Sequence, residues 1–297
     1  MPVPMHQTRN HVLGAIDLSP YAISVADCAA WAASRMDAPL ELLNIADRET
    51  SDQLSELRGG LSQERSKALL DELINQDEEH PKPLGKQHGR ALLQALYERI
   101  AEQHGLHAQV RQRKGSIPAT LLEVEDEVRL FVLGKRGENA DFAKGTLGSK
   151  LEESVRSLHR PILVASRNTQ PIKRFMIAFD GSPSTRKCVE TVSTSPLLKG
   201  LECLLVMSAD NADSKQQMEM DWAQQRLRQA GFRPMAWIVN GDPKVVIAQQ
   251  IDINKINLLV MGAYGHSRFR NMFVGSTTTQ ILQTCLIPVL LIRDTPN

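Results

Sequence analysis

The sequence predicts an α/β protein made of two copies of one doubly wound domain, and three observations carry that prediction. First, matched pieces recur in the same order in both halves. The apolar run 11–17, ending in Asp17, answers the run 174–180, ending in Asp180; 130–134 answers 258–262, and 161–165 answers 288–292. A period this long indicates two domains and not a solenoid, whose units run about 20–50 residues. Second, the recurring runs are short, rich in Val, Ile and Leu, and lack polar alternation, as strands covered on both faces do. Third, they alternate with amphipathic stretches, which implies a parallel sheet with right-handed crossovers. Each copy is therefore expected to be a Rossmann-like unit of five parallel strands with helices on both faces.

In the first copy the strands are expected over 11–17, 40–46, 107–112, 130–134 and 161–165. The stretch 47–105 is much longer than its counterpart 209–233. It carries helical patterns at 51–76 and 90–103, separated by a break containing Pro81, Pro83 and Gly85. It is read as an extra helical insertion, either merely structural or lying over the mouth of the first site. In the second copy strands are expected over 173–180, 201–208, 234–239, 257–263 and 288–293, with helices over 184–198, 213–230, 243–254 and 276–285. Asp242 suits an N-cap and Pro243 the first helical position. The polar stretch 167–171 ends in Pro171, so the domains are expected to span 1–168 and 169–297.

Composition narrows the function classes. Lys and Arg total 35 against 34 Asp and Glu, a net charge of +1, which argues against a protein-wide field for nucleic acid or an anionic membrane. No apolar run approaches the ~20 residues that cross a bilayer. The first ten residues lack the apolar core of a signal peptide, so a cytoplasmic location is expected. Cys28, Cys188, Cys203 and Cys285 are far apart in apolar contexts, which favours buried thiols over a disulfide framework or a zinc site.

The most informative stretch follows the fourth strand of the second copy. Gly262, Gly265, Gly275 and Ser276 stand at G-x2-G-x9-G-S spacing, and Ser276 and Thr277 open an amphipathic helix. In open parallel sheets, ligands bind beyond the carboxyl ends of the strands. Glycine there lets an anion approach the main chain, and the first amides of a helix point at it with the aid of the dipole. The loop reads as a phosphate cradle; turn glycines followed by a plain N-cap are the alternative.

These residues, with the helix and the strand 288–292 after them, resemble the nucleotide-binding branch of the universal stress protein family, and the likeness to its tandem members covers nearly the whole chain. The resemblance implies an adenine nucleotide α-hydrolase-like fold with pairing of domains through their final strands, an intramolecular pseudo-dimer, or a homodimer of such chains. It implies ATP as ligand, with Mg2+ held by the phosphates. By that likeness Asp180 would meet a ribose hydroxyl, and Val206 or Met207 the adenine. Met261, Gly262 and Gly265 would line the sugar and first phosphate, and Gly275, Ser276 and Thr277 the later ones. Arg268, with His266 and Arg270 beside it, stands in the loop within reach of the phosphates.

The first copy departs from the pattern. Gly134, Gly137, Gly148 and Ser149 follow G-x2-G-x10-G-S spacing, one residue too long, and Asp17 matches Asp180. Lys135, Arg136 and Lys144 make this loop more basic, and Arg111, Arg113 and Lys114 are expected at the carboxyl end of the third strand, which suits either a polyanion or a solvated edge. No nucleophile elbow, Walker loop or metal motif occurs. The expected function is a cytoplasmic ATP-binding regulator of the stress response with a protein partner that the sequence does not name. An interaction module that binds no nucleotide and a weak ATPase or autokinase are the rivals.

Overall fold

The computed structural model describes residues 10–46, 63–74, 89–136, 147–167, 170–210, 212–263 and 276–294. The chain forms two compact units, the first ending at Arg160 and the second beginning at Pro161.

In the first unit β1 (His11–Ile16), β2 (Leu40–Ala46), β3 (Gln109–Lys114) and β4 (Val128–Gly134) stand in the order β3-β2-β1-β4, all parallel. The helices are α1 (Ala22–Met36), α2 (Gln63–Ile74), α3 (Gly89–His104), α4 (Ile117–Val124) and α5 (Ser149–Ser157). Helix α1 buries a face of small residues, among them Ala22, Ala26, Ala29 and Ala33. That face lets it approach β1 closely: a Cβ on Gly14 would stand 3.2 Å from the Cβ of Ala29. The chain leaves α1 through Asp37, whose φ of 47° ends the helix in the left-handed region.

The long connection 47–105 resolves into two different things. Helix α3 is an ordinary core crossover: Leu92, Leu93, Leu96 and Ile100 are fully buried, and Arg99 grips Asp27 of α1 through two bonds of 2.9 and 3.0 Å. It leads into β3 as the corresponding helix of the second unit leads into its third strand. The extra element is α2, which packs on α1 and α3. The Pro81 to Gly85 break lies outside the described residues.

In the second unit the strands are β5 (Ile162–Ala165), β6 (Arg174–Ala178), β7 (Glu202–Ser208), β8 (Met235–Val239), β9 (Leu258–Gly262) and β10 (Val289–Ile292), in the order β5-β10-β9-β6-β7-β8. All neighbours are parallel except β5 and β10, where Val164 faces Val289 and Ile162 faces Leu291 in antiparallel register. The last strand of the first sequence repeat therefore lies in the second compact unit. Helices α6 (Pro183–Thr194), α7 (Ser214–Gln229), α8 (Pro243–Ile253) and α9 (Ser276–Thr284) complete it. Three of their starts are written locally. Ser182 caps α6 with Pro183 behind it, Asp213 and Gln216 form a capping box on α7, and Asp242 caps α8 ahead of Pro243 as expected.

Candidate functional site

In the second unit the site is built where β6 and β9, neighbours in the sheet, reach their carboxyl ends. Two residues beyond β6, Asp180 turns the chain into α6. Its Oδ1 accepts from the Ser182 N–H at 2.9 Å and from the Thr185 hydroxyl at 2.8 Å. Gly181, at φ 75°, makes the turn possible; a Cβ there would also stand 3.0 Å from Cγ of Glu219. Beneath Asp180 lies a buried knot of hydroxyls. Ser182 Oγ is 3.1 Å from Ser184 Oγ and 3.2 Å from Thr185 Oγ1. The knot was not foreseen, although its signal, hydroxyl residues at 182, 184 and 185 directly after Asp180, is plain in the sequence. Helix α7 braces the same corner: the Arg186 guanidinium lies 3.9 Å above the Trp222 ring and holds both oxygens of Glu219 at 2.8 and 2.9 Å.

Gly262 ends β9 against this knot. A Cβ on it would stand 2.8 Å from Ser184 Oγ, so packing against α6 already demands glycine there. Its carbonyl accepts from Thr278 Oγ1 at 3.3 Å, which ties the first turn of α9 to the end of β9. Ser276 begins α9 as expected, and Thr277 follows it half-buried. Met261 is buried. Val206 and Met207 are core residues of β7, and the Val206 carbonyl already accepts from Phe179 N–H at 2.8 Å. Gly265, His266, Arg268, Arg270 and Gly275 lie outside the described residues.

The first unit carries a cavity at the corresponding place. Asp17, Leu43, Ile117, Gly134, Arg136 and Lys150 are among its lining residues, and it encloses about 460 Å3 of space, part of it open to solvent. Asp17 makes the same turn as Asp180, accepting from Ser19 N–H at 3.1 Å. Gly134 lies against Tyr21, whose Cβ would be 2.9 Å from a Cβ on the glycine. Gly148 caps α5, and Ser149 opens it. The Gly148 amide, however, donates to the Lys135 carbonyl at 3.3 Å, so it is already engaged by protein. The pairing registers place Asn44 where the second repeat has Met207. Asn44 is buried, donating to the Ile16 carbonyl and accepting from Gln112 Nε2. Lys150, in the first turn of α5, is a cavity cation that the sequence reading missed. Gly137 and Lys144 lie outside the described residues.

Of the basic residues on β3, which suit either a polyanion or a solvated edge, two are paired within the protein. Arg111 lies mid-strand, its Nη1 3.2 Å from Oε1 of the buried Glu41, which is also 3.3 Å from His11 Nε2 through its other oxygen. Arg113 pairs with Glu123 at 3.6 Å. The charges of these two arginines are answered by neighbouring carboxylates.

Among the described residues no group of His, Cys, Asp and Glu is placed to hold a metal, and no helix is long and apolar enough to cross a membrane. All four cysteines are buried and none is in a disulfide. Burial pushes the Cys28 and Cys203 thiols up to about 12, and Cys188 upward as well, with Asp180 adding to the shift. These three thiols are not nucleophiles at neutral pH.

The model of the Universal stress protein family matches residues 8–166 and again residues 171–293. The chain belongs to the universal stress protein family. It carries the family's domain twice, in tandem. A universal stress protein of Synechocystis sp. is 32% identical over 287 residues, covering 95% of this chain and 99% of that protein. A universal stress protein of Mycolicibacterium smegmatis is 24% identical over 211 residues, 65% of this chain and 71% of that one. Among solved structures, a universal stress protein from Archaeoglobus fulgidus superposes with a TM-score of 0.66 at 17% identity, covering 97% of each chain. The fold is thus that of a tandem, Rossmann-like α/β member of the family, its sheets mostly parallel.

Proposed function

We propose that this protein is a cytoplasmic ATP-binding regulator of the stress response, with domains 1–168 and 169–297, and that its second domain holds the nucleotide. The observation that carries the reading is the joining of three parts at one sheet edge. The Asp180 turn, the end of β9 at Gly262 and the start of α9 converge there, the last two linked by the Thr278 hydroxyl. The first amides of α9 have no acceptor one turn back within the helix, and its dipole favours an anion. These residues fit a phosphate tail. Asp180 would take a ribose hydroxyl, Met207 with Val206 would back the adenine, and Met261, Gly262 and Gly265 would line the sugar and first phosphate. Gly275, Ser276 and Thr277 would hold the later phosphates, with Arg268 supplying charge. Bound Mg2+ would neutralise the phosphates, which themselves supply its oxygen ligands. Nucleotide occupancy would act on a protein partner only through a difference in affinity between two states of the domain.

The first domain, through Asp17, Gly134, Gly137, Gly148 and Ser149, is proposed as the weaker site, because the Gly148 amide is engaged by Lys135 and Asn44 replaces an apolar residue.

The test is mass spectrometry of the chain purified without added ligand, together with ATP-dependent thermal stabilisation of wild type and Gly275→Val. ATP released on denaturation, with stabilisation lost in G275V, is the expected result. No nucleotide and no stabilisation would leave the interaction-module reading. ADP with phosphate on residues 276–279 would point to the autokinase.

A further inference from the structure

Among the described residues, the second unit leaves one strand edge without a neighbour: β8 is bonded to β7 and to no other described strand. The Val239 carbonyl accepts from Ala209 N–H at 3.1 Å, so it faces β7. Successive residues of an extended strand turn their main-chain groups to opposite sides. Met235, Trp237 and Val239 therefore bond towards β7, while Ala236 and Ile238 turn N–H and C=O outward. No charged residue occurs from 234 to 240, and Met235 and Trp237 are 46% and 38% exposed. Proteins normally guard such an edge with charge, proline or a cover. The corresponding strand β3 is guarded: Arg111, Arg113 and Lys114 occupy three of its six positions, and like charges would face each other in any two-fold pairing.

We propose that β8 pairs antiparallel with β8 of a second copy of this chain, about a two-fold axis passing Trp237. In that register Ala236 of one copy faces Ile238 of the other, and the two exchange both N–H to C=O bonds on each side of the axis. Pro234, which lacks an N–H, faces Asn240 and offers only its carbonyl. A shift of two residues would set an outward residue of β8 against one outside the strand. The two Trp237 side chains meet as a non-hydrogen-bonded pair, the closer of the two kinds of cross-strand pair. The flanks are complementary: the exposed Arg233 falls opposite Gly241, beside the exposed Asp242 of the second copy.

The proposal is tested on the full chain by light scattering and by cross-linking. Wild type is expected at twice its 33.0 kDa at micromolar concentration. I238P removes an outward N–H that β7 does not use, which an edge strand tolerates; it is expected to run as a monomer with unchanged circular dichroism. W237C brings two thiols into disulfide range and is expected to give a disulfide-linked dimer on mild oxidation, whereas V245C, exposed on α8, gives none. Wild type of monomer mass at every concentration would overturn the proposal, as would an I238P dimer or a W237C chain that cross-links no better than V245C. Should I238P fail to fold, the cross-linking pair decides alone.

Discussion

Ser184 of α6 stands where a side chain on Gly262 of β9 would have to go. The gap from a Cβ on Gly262 is 2.8 Å to Ser184 Oγ and 3.0 Å to its Cβ. A glycine that the sequence assigns to a ligand is thus already required by helix-on-strand packing. The same relation recurs between Gly134 and Tyr21 in the first unit.

Gly262→Ala is therefore expected to destabilise the second unit by about 1–3 kcal/mol, the usual cost of overpacking. Ser184→Ala removes the nearer of the two contacts. Combined with it, G262A should cost measurably less than the sum of the two single changes. Urea unfolding of the four proteins checks this, and strict additivity would show that the strain is relieved elsewhere.

How far the sequence carried is visible in particular residues. The alternation of strands with helices and the helix starts near Ser184, Pro243 and Ser276 follow from local patterns, since apolar runs and caps act within a few residues. The role of Arg111 did not follow, because its partner Glu41 lies 70 positions away and becomes a neighbour only when β3 joins β2. Helix α3 looked like part of an insertion because its polar face dominates its composition, yet its leucines face the core. Lys150 was missed because the cavity it lines is assembled from five separate segments. The pairing of β5 with β10 came from the family resemblance and not from the pattern of either strand.

The Asp180 carboxylate holds its turn through two bonds, and Thr185 supplies one of them. Thr185→Val and Asp180→Ala are each expected to cost about 1–2 kcal/mol, since each removes more than one hydrogen bond of the turn. Thermal stabilisation by ATP should survive in T185V and fall sharply in D180A. If D180A loses stability but keeps its full response to ATP, Asp180 is a turn-maker only.

The clasp between α3 and α1 rests on Arg99 and Asp27, whose side chains are 24% and 14% exposed. A guanidinium engaging both carboxylate oxygens in this half-buried setting is worth more than a surface pair. Arg99→Ala is expected to lower unfolding free energy by about 2 kcal/mol, in the range of charged hydrogen bonds. Arg99→Lys should recover less than half of that, because a lysine cannot reproduce the fork. Equal stability of R99K and wild type in denaturant titrations would count against the bidentate geometry.

The buried thiols give the protein a stability limit on the alkaline side. Cys28 and Cys203 are raised from an ordinary value of 9.0 to about 12 by burial, and Cys188 is raised too. Well below pH 9 these thiols are protonated in both the folded and the unfolded chain, and they add no pH dependence. Above pH 9 the unfolded chain releases protons that the folded chain keeps, so the unfolded state binds fewer protons and stability falls as pH rises. The loss grows across the window from 9 to about 12. Lysines and tyrosines titrate in the same window, so the comparison that isolates the thiols is with a chain carrying Cys28→Ala, Cys188→Ala and Cys203→Ala. That variant is expected to begin less stable, because it leaves small cavities, and to lose less stability than wild type between pH 8 and 10. Ellman's reagent at pH 8 should find these three thiols unreactive in the folded chain and react with all four cysteines in urea. Rapid reaction of Cys28, Cys188 or Cys203 in the folded chain would overturn their placement in the core.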